Sequence, residues 1–257
     1  MSTQAFVVAA DDRWRAWEVA AALLLAATPL LFASHAALIN EVAILALFAL
    51  SLDLILGYAG IVSLGHAAFF GTGAYAAALL AKHGWADPLL GLGLATAAGA
   101  LLGLLTSPMI VRGSDLTRLM VTMGVALVLL ELANKFDDIT GGTDGLQGVA
   151  MGPLLGHFEF DLAARVASFY ALAVLLLALL LARRLVHSPL GISLQALRDN
   201  RLRVSALGLS VGGRLAAVYT LSAAMAAAAG ALLAQTTGFA SLDVFEFHRS
   251  ADVMLAL

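Results

Sequence analysis

Lys82 and Lys135 are the only lysines in the chain, and neither follows the glycines of a Gly-x-x-x-x-Gly-Lys-Ser/Thr loop, in which backbone amides and a lysine grip nucleotide phosphates. The chain therefore cannot be its own P-loop ATPase. Its six histidines are scattered, with no His-Glu-x-x-His and no pair four residues apart, so no metal site is expected. There is no cysteine, which removes disulfides and thiol chemistry. Asp53 and Glu131 are ionisable groups inside apolar runs, where a charge is costly unless paired or wet. A proton or cation relay would need them face to face near a membrane midplane. The pattern places them at opposite surfaces, where solvation or a helix–helix hydrogen bond explains them. No catalytic residue is expected, and the chain is read as a non-enzyme.

Two features remain that could carry function. The first is a glycine cluster, Gly57, Gly60, Ser63, Gly65, His66, Gly71 and Gly73, inside a run from Val42 to Ala81 that holds almost no charge. A helix over that run would be about 60 Å long, about twice the hydrocarbon thickness of a bilayer, so it must turn or break. The glycines are where it breaks. Backbone groups freed in lipid must face protein, water or substrate, so a discontinuous element beside a translocation path is one reading and tight helix packing the other. The second feature is the Arg-rich stretch His187 to Gly213. Pro189 and Gly191 form a turn, apolar residues then recur at helical spacing, and Gly208 can end the helix in a left-handed cap. A short amphipathic helix of this kind lies on anionic lipid or enters a groove on a partner.

These features need a frame, and the composition supplies one. Hydrophobic residues make up 61% of the chain and charged residues 12%, against about 25% charged in a soluble domain. The chain is expected to be all-α, a polytopic transmembrane helical bundle forming a single domain over 1–257. Spans are placed near 19–39, 42–56, 61–81, 89–111, 117–133, 167–186 and 214–235. The first is too long for a signal-peptide core and reads as an uncleaved span. With the N-terminus inside, ten arginines fall on the cytoplasmic side, and only Lys82, Lys135, Arg165 and Arg249 fall outside. The loop 134–166 is then external, 187–213 is cytoplasmic, and 236–250 is an outer segment. The run Ala251 to Leu257 stops far short of a span, and the chain is expected to be a C-terminal truncation.

Four motifs resemble one family in order. Gly57-Tyr58-Ala59-Gly60, Ser63-Leu64-Gly65-His66-Ala67-Ala68-Phe69-Phe70-Gly71 and Gly73-Ala74-Tyr75 are similar to the signature of LivM-like permeases, membrane subunits of high-affinity branched-chain amino-acid ABC importers. Thr140-Gly141-Gly142-Thr143-Asp144-Gly145-Leu146 and Gly238-Phe239-Ala240-Ser241 are similar as well. Ala196-Leu197-Arg198-Asp199-Asn200, followed by Ala206-Leu207-Gly208, looks like the coupling loop of such permeases. The family commonly has Asn where Asp53 stands. The resemblance implies a permease working with a second homologous permease, two cytoplasmic ATPases that bind the ATP, and an extracytoplasmic substrate-binding protein, all at the cell membrane. It implies no cofactor in this chain and no nucleic-acid partner. A same-family permease for urea, short amides or another small polar solute stays open, as do a secondary transporter and a non-transporting scaffold.

Overall fold

A computed structural model describes residues 16–161 and 164–256. The described chain is helical, with isolated bridges in place of strands. In order come α1 (Ala16–Leu31), α2 (Ala36–Asp53), α3 (Ala67–Lys82), α4 (Pro88–Arg112), α5 (Asp115–Lys135), the short α6 (Asp137–Thr140), α7 (Arg165–Val186), α8 (Pro189–Asp199), α9 (Arg201–Ala206), α10 (Val211–Thr237) and α11 (Phe247–Ala256). Five of the described helical segments are long and apolar enough to cross a membrane: 33–58, 88–111, 116–135, 165–186 and 211–237. α3 has only 16 residues, about 24 Å of helix, because it starts after the break that the glycines introduce.

α10 is the axis of the bundle. In its most apolar window 78% of residues are buried within the chain, against 22% for α5, whose outer faces are left to lipid or to partners. Small residues explain the difference. A Cβ on Gly230 would lie 1.8 Å from the Phe70 carbonyl oxygen of α3, and one on Gly73 would lie 2.0 Å from the Ala227 carbonyl oxygen of α10. The two backbones therefore touch, which apolar helices in lipid need because no hydrophobic force drives them together. α4 packs on α10 beside α3, through Gly99 and Gly103 against Ala227 and Ala223.

Helix starts follow local chemistry. Asp87 accepts from the amides of Leu89 and Leu90 at 2.8 and 3.1 Å, with Pro88 opening α4. Ser188 with Pro189 does the same for α8, and Ser114 caps α5. The first two spans are divided differently from the expected point near residue 41. α1 carries Pro29 and ends at Leu31, and a single tight turn, Ala33–His35, leads into α2. Asn40 and Glu41 lie inside α2, not in a loop. Asn40 is accommodated there because its Nδ2 donates to Thr236 Oγ1 of α10 at 3.0 Å.

The segment after α10 also departs from expectation. It is not an outer loop. After the left-handed turn at Gly238 the chain pairs Ala240 with Leu146, then runs back into the bundle alongside α3. The Phe245 ring stacks on Tyr75 at 5.4 Å and lies against Gly71, and Ser250 Oγ accepts from the Ala67 amide at the start of α3, 2.8 Å away. Arg249, expected outside, instead sits 5.1 Å over the Phe70 ring.

Candidate functional site

The break after α2 has a definite anatomy. Beyond Asp53 the helix widens into one π turn, Leu54–Tyr58, and then stops. Gly60 turns the chain at φ +64, and residues 61–66 run without regular structure to α3. Freed groups are met by protein. Gly60 and Ile61 amides donate back to Leu56 and Ile55 carbonyls, and the first amides of α3 reach Gly65, His66 and Ser250. Gly65 presses on α5 so closely that a Cβ would lie 1.8 Å from the Thr122 carbonyl oxygen. His66 is fully buried, ringed by Phe48, Phe69 and Tyr219. Its Nε2 lies 2.7 Å from Ser222 Oγ, which donates to the Ser51 carbonyl at 2.5 Å. The serine hydroxyl is committed to that carbonyl, so the imidazole carries its proton on Nε2 and gives it to Ser222. This chain of bonds ties α2, the break and α10 together, and Ser222 and Ser51 carried no signal in the sequence. Ser63 is buried too. Ser63, Gly65 and His66 thus face the interior of this chain, while Gly57 and Gly60 lie at one end of the bundle.

At that end the second predicted site meets the first. The region read as one helix and its cap is two helices, because Asn200 adopts an extended conformation at φ −158 between α8 and α9 and caps α9 through Oδ1 to the Arg203 amide at 3.0 Å. α8 buries Leu194 and Leu197 against the bundle. Gly191 lies so close to the end of α7 that a Cβ on it would stand 2.2 Å from the Val186 carbonyl oxygen, so α8 folds back tightly there. Arg198 then reaches across: its guanidinium donates to the Gly57 carbonyl, and its Cγ would be 2.8 Å from a Cβ on Gly60. Gly60 leaves room for that aliphatic stem. Ala196 and Asp199 are exposed on the far side, as are Ala206, Leu207 and Gly208, the last at φ +78 as the cap reading requires. Leu202 is 84% and Leu207 73% exposed, so α9 and the residue that caps its end offer two leucines to their surroundings.

The opposite end holds the third motif. Thr140 Oγ1 shares its one proton between the Ala133 and Phe136 carbonyls, 2.5 and 2.8 Å away, accepts from the Gly142 amide at 3.4 Å, and so closes the end of α5. Gly141, Gly142 and Gly145 all have positive φ, which lets the loop reverse so that Leu146 and Ala240 exchange amide–carbonyl bonds of 2.8 and 3.1 Å. Asp144 is exposed. Two motifs almost a hundred residues apart in sequence are therefore one structure. Of the intramembrane charges, Asp53 and Glu131 are both exposed and sit at opposite ends, as expected. Arg118, one of the ten arginines expected on the cytoplasmic side, is fully buried and donates through Nε to the Ile110 carbonyl at 2.8 Å. The described residues contain no cluster of side chains able to hold a metal.

Residues 34–256, covering the break, the docked loop and the paired end motifs, match the family model described as branched-chain amino acid transport system, permease component. The chain belongs to that family. This permease-family chain is 33% identical over 232 residues to the high-affinity branched-chain amino acid transport system permease protein LivM of Escherichia coli (strain K12), covering 80% of this chain and 53% of the relative. The protein of the same description from Salmonella typhimurium (strain LT2) matches with the same identity and coverage. The permease-family chain thus spans about half the length of the curated relatives it matches. No solved structure matches it. Family membership and the apolar helices make it a multi-pass membrane protein.

Proposed function

We propose that this chain is the membrane-embedded permease subunit of an ATP-driven importer of branched-chain amino acids, working with a homologous permease, two cytoplasmic ATPases that bind the ATP, and an extracytoplasmic binding protein. One observation carries the reading: the loop α8–α9 exposes Leu202 and Leu207 outward while Arg198 fastens its inner side to the Gly57–Gly60 turn. An exposed apolar pair on a short helix suits a groove on a partner. The bond to the break gives that partner a direct purchase on the junction of α2 and α3. In this proposal, movement of the ATPases displaces α8–α9, and the break hinges beside the translocation path. The names of the relatives support the amino-acid class. In proteoliposomes holding the assembled complex, ATP is expected to drive uptake of leucine and not of urea. Urea uptake without leucine uptake would move the assignment to a small-amide permease. Uptake insensitive to vanadate would make the chain a secondary transporter.

The orientation belongs to the same proposal. Arg183, Arg184, Arg198, Arg201, Arg203 and Arg214 gather at the α8–α9 end, which the positive-inside rule makes cytoplasmic. Thr143 and Ser205 are both exposed, at opposite ends of a chain with no cysteine. An impermeant maleimide added to intact cells is expected to label Thr143→Cys and to leave Ser205→Cys untouched. The reverse pattern would invert the topology.

A further inference from the structure

Between α2 and the returning segment lies an open cleft of about 790 Å³, a size within the range of about 300–1,000 Å³ that small-molecule sites occupy. One wall is the face of α2 from Glu41 and Val42 down to Ala49; the other carries Asp243, Glu246, His248, Arg249 and Asp252. Four carboxylates and one guanidinium are an unexpected lining for a groove along membrane helices.

The depth of Arg249 makes the lining informative. Its guanidinium stacks over Phe70, twelve residues below Lys82 on α3, about 18 Å along the helix axis. With the Lys82 end of α3 at the membrane surface, as in the orientation proposed above, that is more than half of a hydrocarbon core about 30 Å thick. The neighbouring Ser250 is fully buried and bonded to the Ala67 amide, so the segment is held at this depth. No carboxylate among the described residues lies within ion-pairing distance of Arg249, and its one partner is the Phe70 ring. A guanidinium at mid-depth without a counter-ion has to face water or a ligand. The cleft it lines supplies that.

We propose that this cleft is where the transported solute passes, and that its mixed lining selects a zwitterion, Arg249 taking the solute's carboxylate and the acidic groups around it taking the ammonium. The proposal rests on the importer reading above. An anion alone would meet four carboxylates, and an uncharged amide would gain little for desolvating them. The apolar stretch Val42, Leu45, Ala46 and Ala49 on α2 leaves a surface for an aliphatic side chain. Specificity then lies partly in this subunit and not only in the binding protein that delivers the solute.

The test uses the assembled transporter in proteoliposomes. Ala46→Cys is expected to react with a water-soluble cationic methanethiosulfonate, and faster than with the anionic counterpart, because acidic groups dominate the lining. At saturating binding protein, leucine uptake is expected to fall about tenfold in Arg249→Gln, the loss of one charge-assisted hydrogen bond, while ATP hydrolysis continues and Arg249→Lys recovers most of the rate. Ala46→Cys inert to both reagents, or leucine uptake unchanged in Arg249→Gln, overturns the site. A wild-type complex that moves no leucine with ATP overturns the importer reading instead; the thiol arm then decides alone, a reactive Ala46→Cys keeping the wet cleft and an inert one removing it.

Discussion

Gly230→Val is expected to prevent the protein from accumulating in a folded form. The added Cβ would stand 1.8 Å from the Phe70 carbonyl oxygen, 2.7 Å from its carbon and 3.1 Å from the Ala74 nitrogen. All three are backbone atoms of α3, so no side chain can swing away. α3 and α10 would have to part, and with them the seam where Gly73 meets Ala227. Ordinary overpacking of a core costs about 1–3 kcal/mol because neighbours relax; here neither neighbour can, and the expected cost exceeds that range. Gly93→Val is the control, because nothing lies within 4 Å of its Cβ position on α4. Size-exclusion profiles of the detergent-extracted proteins check the prediction. Equal recovery of a monodisperse peak for both variants would contradict it.

Leu202→Asp combined with Leu207→Asp is expected to cost assembly with the ATPases and not folding. Both leucines are mostly exposed, at 84% and 73%, and neither supports the bundle. If a partner groove buries them, each contributes about 1.5–3 kcal/mol, and losing both weakens the complex about a hundredfold or more. The double variant should reach the membrane in normal amounts, copurify little ATPase and transport nothing. Retained copurification would mean that the ATPase grips another surface.

Much of this architecture was legible because the membrane restricts it so heavily. The lengths of the apolar runs fixed α4, α5, α7 and α10 to within a few residues, since a helix of about 20 residues is what crosses hydrocarbon. The break was legible from Gly57 to Gly65 for the same reason: a charge-free run too long for one span has to stop where the side chains are smallest. The loop α8–α9 was marked by Ser188, Pro189 and its arginines, although its division at Asn200 was not, because a residue that caps the second helix also fits within the first. What the sequence hid is what depends on contacts between distant residues. Asn40 reads locally as a loop residue, and only its bond to Thr236 on α10 explains its place inside a helix. The sequence 236–250 reads as a polar outer segment, and nothing local says that Phe245 will stack on Tyr75 or that Ser250 will cap α3. Arg118 gave no sign of burial, since its partner is the carbonyl of Ile110 across the α4–α5 turn. The bond from Arg198 to Gly57 belongs to the same class: each residue stands out in its own motif, and nothing local says that the two meet.

That meeting makes the loop and the break one mechanical unit. Arg198 is half exposed, so its bond to the Gly57 carbonyl is worth about 1 kcal/mol. Its stem against Gly60 adds packing that a shorter side chain loses. Arg198→Ala should therefore leave the ATPases docked on α9 and turning over while loosening their hold on the break. Leucine taken up and ATP hydrolysed are to be measured on the same proteoliposomes, wild type against Arg198→Ala. Hydrolysis is expected close to wild type, with the leucine moved per ATP reduced about fivefold. An unchanged ratio of leucine to ATP would show that the Arg198 contact does not carry the coupling.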